Sequence, residues 1–104
     1  MKEWLISYSD SAVSNLIGIY HYLAEILQVP ETAAAQVLRI RDQVAKLDTL
    51  PERYPLHDTD RGREISLHRM NIDNYAVFYT LHESENTVFV VHILYAGSDI
   101  DAVI

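Results

Sequence analysis

The chain has 104 residues, 49% of them hydrophobic, which suits one core-forming domain over residues 1–104 and excludes a disordered tail. It has no cysteine, which excludes a disulfide scaffold, a thiolate nucleophile and a cysteine zinc site. Its net charge of −7 argues against phosphate-backbone binding over the whole surface. Without a signal peptide or an apolar run of about 18 residues, we expect a cytoplasmic protein that does not associate with membranes.

The N-terminal half predicts one strand followed by two helices. Residues 2–9 alternate in polarity and predict the strand, after which Asp10 or Ser11 can cap a helix. Apolar residues recur at three- and four-residue steps over 13–27 and form one helical stripe. A second helix, over 30–48, opens on a proline. The short break between the two helices favours an antiparallel helical hairpin.

The C-terminal half predicts three strands after a polar loop. The first, over 63–72, opens on Arg63, and a phase change in its apolar residues suggests a bulge near Arg69. Residues 75–81 are rich in strand formers, and the almost wholly apolar run 87–95 predicts a buried central strand. The predicted order is β-α-α-β-β-β, an α+β fold in which the helical hairpin covers an antiparallel sheet.

Four short fragments occur in order along the chain. They are a strand-to-helix junction at 8–12, an arginine-led strand at 63–65, the aromatic strand Asn74-Tyr75-Ala76-Val77-Phe78-Tyr79, and a closing strand with its tail at 91–100. Together they resemble the RelE/ParE toxin superfamily, which includes plasmid-stabilisation proteins, over nearly the whole chain. The resemblance implies the toxin of a bacterial type II toxin–antitoxin pair, which inhibits growth until its cognate antitoxin binds it.

Two departures from the family pattern bear on the mode of inhibition. In members that cleave mRNA on the ribosome, an arginine usually follows the aromatic residue that corresponds to Tyr75, and here that position is Ala76. The basic residues that usually follow the closing strand are replaced by Gly97 and Ser98. Cleaving RNA through its 2′-hydroxyl requires a base, an acid and cations that stabilise the transition state. We therefore expect inhibition by binding a protein, as in the gyrase-poisoning branch.

Two other functions stay open at this point. The first is a ribosome-dependent mRNA endoribonuclease of the RelE type, whose target would be ribosome-bound mRNA. The second is a degenerate, non-toxic binding module, because the segment after Arg69 carries five acids and no lysine or arginine, whereas toxins of this family are usually basic.

Three residues are candidates for a catalytic site, if the protein is an enzyme. Arg63 opens the predicted second strand and can contact an anion, or it can pair on the surface with Asp60 or Glu64. Arg69 lies at the predicted bulge, which can aim a side chain inward, or it can be a solvated strand residue. Tyr95 stands where the family often has a histidine or tyrosine; it can donate a proton or serve as a core residue with a satisfied hydroxyl.

Contacts with a partner are predicted for four further residues: Arg39, Arg41, Tyr75 and Tyr79. The arginines lie on the second helix and can equally form a solvated face, and the tyrosines lie on the aromatic strand and can equally be core residues. Residues 75–95 contain more apolar side chains than one helical hairpin covers. This predicts that an antitoxin segment lies across the sheet and hairpin, or that the protein forms a homodimer. The histidines lack metal-ligand spacing, so neither a metal nor a cofactor is expected.

Overall fold

The computed structural model describes residues 3–104, and in it four strands form one sheet in the order β1-β4-β3-β2. The strands are β1 (Leu5–Tyr8), β2 (His68–Ile72), β3 (Tyr75–His82) and β4 (Thr87–Tyr95). The three C-terminal strands are antiparallel neighbours, as predicted, and β4 is central in the sheet. The first strand adds to β4 in parallel and forms one edge of the sheet. Its predicted start at residue 2 lies outside the described residues.

The helical hairpin follows the first strand, as predicted. It consists of α1 (Asp10–His21), a π-helical turn (Tyr22–Ile26), α2 (Pro30–Ala45) and a short 3-10 turn (Lys46–Asp48). The prediction that Asp10 or Ser11 caps α1 is wrong by one or two residues. Ser9 is the cap, because its hydroxyl accepts a hydrogen bond from the N–H of Ala12 at 2.9 Å. None of the helices within residues 3–104 has the length and apolar character needed to cross a bilayer.

The predicted strand over 63–72 is wrong in its first half. Residues 60–64 form a short helix, α3 (Asp60–Glu64), because the hydroxyl of Thr59 accepts a hydrogen bond from the N–H of Gly62 at 3.0 Å and caps it. The backbone then reverses at Ser66, which has a φ of 53°. The change of apolar phase that predicted a bulge near Arg69 therefore lies where the turn after α3 meets the start of β2 at His68, and β2 pairs with β3 without a bulge.

The irregular pairing in the sheet lies between β3 and β4. Phe78 pairs with His92 and Tyr79 pairs with Val90, so Val91 is an extra residue in β4. A bulge leaves the two strands paired while it shifts which side chains of the longer strand face the helices. Ile93 is consequently buried on the helix side, and its N–H donates to the side chain of Asn15 at 3.0 Å.

Both faces of the sheet carry an apolar cluster. On the helix side, α2 contributes Ile40 and Val44, which are fully buried against sheet residues such as Val77. On the opposite face, Phe78 packs with Ile100 from the C-terminal segment, where residues Ile100–Ala102 form a 3-10 turn. The C-terminal tail thus covers the face of the sheet that the helical hairpin leaves open.

Candidate functional site

The predicted catalytic residues lie on different parts of the surface. Arg63 is on α3, with its side chain 54% exposed and its guanidinium paired with Asp58. Arg69 is on β2 and faces the side of the sheet away from the hairpin, where its guanidinium lies 5.3 Å over the ring of Phe78. Tyr95 ends β4 and packs on the helix side. The structure does not bring the three together into one site.

The guanidinium of Arg69 already has protein partners. It donates to Oδ1 of Asn71 at 2.9 Å and to the carbonyl oxygen of Ala96 at 3.1 Å. The bond to Asn71 lies within β2, whereas the bond to Ala96 joins β2 to the residue that follows β4. These bonds use two of the five N–H donors of the guanidinium and fix its position.

Ala76 stands where the family resemblance places an arginine in mRNA-cleaving members. It is fully buried and belongs to the apolar cluster of Leu67, Phe78 and Ile100. The tail that supplies Ile100 is held by Asp101, whose Oδ1 accepts a hydrogen bond from the hydroxyl of Thr59 at 3.1 Å. This position is therefore filled by packed hydrocarbon.

The predicted partner residues divide into buried and surface positions. Tyr79 has no exposed surface; its hydroxyl donates to the carbonyl oxygen of Pro51 at 2.5 Å, and its ring stacks on His68 at 5.1 Å. The structure thus corrects its assignment as a partner contact, because a core tyrosine cannot reach a second protein. Arg39 is exposed, but its Nε donates to Asp73 at 2.9 Å. Hydrogen bonds from Arg39 and Gln36 hold the pKa of Asp73 below its ordinary value.

Arg41 lies in a groove of about 540 Å³, called here the hairpin groove, between α1, α2 and the end of β1. Its walls are mostly apolar and are formed by Tyr8, Val13, Leu16, Ile17, Tyr20, His21, Val37 and Arg41. Val13 and Ile17 belong to the apolar stripe predicted over 13–27, yet they are 45% and 54% exposed. Burial raises the pKa of the Tyr8 hydroxyl, while the charge of Arg41 opposes that shift.

Tyr75 and Tyr95 line a second groove, of about 710 Å³, called here the tyrosine groove. It lies between α1 with its π-helical turn and the adjoining ends of β3 and β4, and Tyr22 and Asn74 also line it. The rings of Tyr75 and Tyr95 are nearly perpendicular, at 87°, with their centroids 6.3 Å apart. Burial raises the pKa of the Tyr75 hydroxyl, and the neighbouring Tyr22 and Tyr95 add to the shift.

Sequence reasoning identified Tyr75 and Tyr95 singly but missed the groove and its third tyrosine. Tyr22 belongs to a different element from the other two, and only the docking of the hairpin on the sheet brings it near them. No group of three or more metal-ligating side chains occurs within residues 3–104.

Comparison with known proteins gives one family. The family model described as "ParE toxin of type II toxin-antitoxin system, parDE" matches residues 6–100. No match is found among curated proteins.

Several solved structures with the same fold are proteins of toxin–antitoxin systems. A chain of the chromosomal ParDE system from P. aeruginosa has a TM-score of 0.71 and 16% identity, covering 91% of this chain and 98% of that one. A mutant of the E. coli toxin RelE in the free state has a TM-score of 0.68 and 10% identity, covering 97% and 92%. A chain of the RelBE2 toxin–antitoxin complex from Mycobacterium tuberculosis has a TM-score of 0.60 and 16% identity, covering 89% and 98%.

Proposed function

Because the chain belongs to the family of ParE toxins of type II toxin–antitoxin systems, we propose that it inhibits growth by binding a protein target of the gyrase type and not by cleaving mRNA. The observation that carries this proposal is the burial of Ala76 in the apolar cluster that also contains Ile100, at a position where the family resemblance places an arginine in mRNA-cleaving members. Binding to a protein target needs complementary surface and no catalytic cations.

The chemistry of RNA cleavage supports the same conclusion. Attack by a 2′-hydroxyl builds negative charge on the phosphate, and each preorganised stabiliser of such charge contributes about 10²–10³ in rate. The side chain of Arg69 is hydrogen-bonded to Asn71 and Ala96. Arg63 lies on α3, away from Arg69, and is paired with Asp58. The two arginines of the predicted catalytic set therefore lie on separate elements, and each already has a protein partner.

The hairpin groove is the surface on which we place the antitoxin. Its exposed side chains Val13 and Ile17 would be covered by an apolar partner segment, and Arg41 would meet an acidic residue of that segment. The groove adjoins β1, an edge strand to which an extended segment could add by backbone pairing. A helical antitoxin segment would cover the apolar side chains of the groove, and an extended segment would pair with the edge strand β1.

Expression of the protein without its antitoxin tests the mode of inhibition. We expect growth arrest accompanied by gyrase-linked DNA breaks, with translated mRNA left intact. Arg63→Ala and Arg69→Ala should still arrest growth, whereas a nuclease relying on either residue would lose about 10²–10³ in rate. Cleavage of translated mRNA that disappears in folded Arg69→Ala protein would refute the proposal, and a folded protein without effect on growth would indicate the non-toxic binding module.

A charge in the hairpin groove tests the position of the antitoxin. Ile17→Glu should weaken antitoxin binding at least about tenfold, because the carboxylate would be buried against an apolar partner. Since Ile17 is 54% exposed, the free protein should fold normally. The matched control is Val103→Glu, at a similarly exposed apolar residue of the C-terminal tail, outside the groove. Equal antitoxin affinities of the two variants in titration calorimetry would place the antitoxin elsewhere.

A further inference from the structure

Three tyrosines line the tyrosine groove. Tyr75 and Tyr95 present perpendicular rings on the strand side, and Tyr22 lines the helix side. Tyr22 and Tyr95 are 52% and 62% exposed, so their ring surfaces are open to an incoming group. Ring faces carry the negative part of the aromatic quadrupole, which attracts cations.

The stretches of chain that form this groove are acidic. The elements that line it lie within two stretches, residues 3–38 and 70–104, and neither contains a lysine or an arginine. The first stretch carries four acids and the second five. Two cations approach from outside the lining: Arg39 comes from α2, where Asp73 holds its guanidinium, and Arg69 reaches the carbonyl oxygen of Ala96 from the opposite face of the sheet. A cationic ligand would therefore meet no lysine or arginine among the residues that line the groove, in a protein whose net charge is −7.

Gly18 keeps the helical wall of the groove open. It lies inside α1 and lines the groove, and a Cβ built on it would meet no atom within 4 Å. Glycine inside a helix costs roughly 0.5–1 kcal/mol relative to alanine, and no internal contact of this chain requires it. The space beside Gly18 is thus room for a group that another molecule supplies.

We propose that the tyrosine groove receives a lysine or arginine side chain that the antitoxin presents. The aliphatic stem of such a side chain would lie along Leu23 and Leu27, which also line the groove. Its charged head would lie among the three rings, within reach of the side-chain oxygen of Asn74. In naming the antitoxin, the inference rests on the proposed function, and it gives the antitoxin a basic contact opposite this acidic toxin.

A pair of small probes tests the tyrosine groove directly. The probes are N-acetyl-arginine amide and N-acetyl-citrulline amide, which have nearly the same shape and differ in charge. In NMR titrations that follow the tyrosine ring protons, the arginine probe should bind about fivefold more tightly than the citrulline probe. Equal affinity of the two probes would overturn the proposal.

Substitutions decide which rings hold the probe. Tyr95→Leu should abolish the preference for the arginine probe, and Tyr95→Phe should retain it, because the ring and not the hydroxyl attracts the cation. If Tyr95→Leu does not fold, Tyr22→Leu, at a half-exposed residue, should likewise abolish the preference for the arginine probe. Tyr20→Leu is the matched control, since Tyr20 is on α1 and 40% exposed but lines the hairpin groove. An unchanged preference in folded Tyr95→Leu or Tyr22→Leu protein would overturn the proposal.

The purified toxin–antitoxin complex tests whether the antitoxin occupies the tyrosine groove. In the complex, the ring protons of Tyr95 should no longer respond to the arginine probe, because the antitoxin side chain fills the groove. An undiminished response would overturn the antitoxin as occupant. Failure of the proposed function would look different: the free protein would bind the probe selectively and yet fail to arrest growth.

Discussion

Replacing Gly62 by alanine should destabilise the fold by about 1–3 kcal/mol, because the new Cβ would lie 2.5 Å from the carbonyl oxygen of His57. That carbonyl cannot move away freely. It accepts a hydrogen bond from the N–H of Thr59 at 2.9 Å, and the N–H of His57 donates to Leu67 at 2.7 Å. The clash therefore acts on the loop before α3, whose backbone is hydrogen-bonded to Leu67 just before β2. Denaturant unfolding of the purified variant measures the loss.

Gly18→Ala is the matched control and should change stability in the opposite direction. A Cβ at Gly18 meets nothing within 4 Å, and the residue lies inside α1, so alanine should stabilise the protein by roughly 0.5–1 kcal/mol. The same unfolding experiment compares the two variants. If Gly62→Ala proved as stable as the parent protein, the loop at His57 would not be packed against α3 in the way described.

Tyr79→Phe should cost about 1–3 kcal/mol, because it leaves the buried carbonyl oxygen of Pro51 without its hydrogen-bond donor. The ring itself is retained, so the stacking on His68 and the volume of the core are preserved. Tyr20→Phe, at an exposed tyrosine, should change stability by less than about 0.5 kcal/mol. Equal unfolding free energies for the two variants would contradict the role of the Tyr79 hydroxyl.

The same substitution should change the response of stability to alkaline pH. Burial raises the pKa of Tyr79 well above its unfolded value of about 10. Between those two pKa values the unfolded chain has lost a proton that the folded chain keeps, so stability falls as pH rises. The contribution is fully present below about pH 10 and is lost above it. Unfolding measured from pH 8 to 11 should therefore show a shallower alkaline decline for Tyr79→Phe than for the parent protein.

Patterns along the chain were sufficient for the family and for the order of the four strands and the helical hairpin, but not for α3. The apolar steps over 13–27, the proline that opens α2 and the apolar run that became the central strand are local signals, and each predicted its element correctly. The α+β fold followed, because two amphipathic helices need an apolar sheet to cover. Ala76, Gly97 and Ser98, where the family pattern places basic residues, were likewise visible from the sequence alone.

The placement of side chains was decided by tertiary contacts that residue order does not encode directly. Arg63 lies in a helix because Thr59 caps α3 by accepting a hydrogen bond from the N–H of Gly62, whereas the sequence around Arg63 predicted the start of a strand. Tyr79 is buried and Tyr95 exposed, although both are strand tyrosines, because Tyr79 lies within the sheet and Tyr95 at its end.

The grooves depend in the same way on how the hairpin docks. The tyrosine groove exists only because the helical hairpin lies beside the adjoining ends of β3 and β4. Periodicity specifies which residues share a face of one element. The distances between faces of different elements are set by packing over the whole fold.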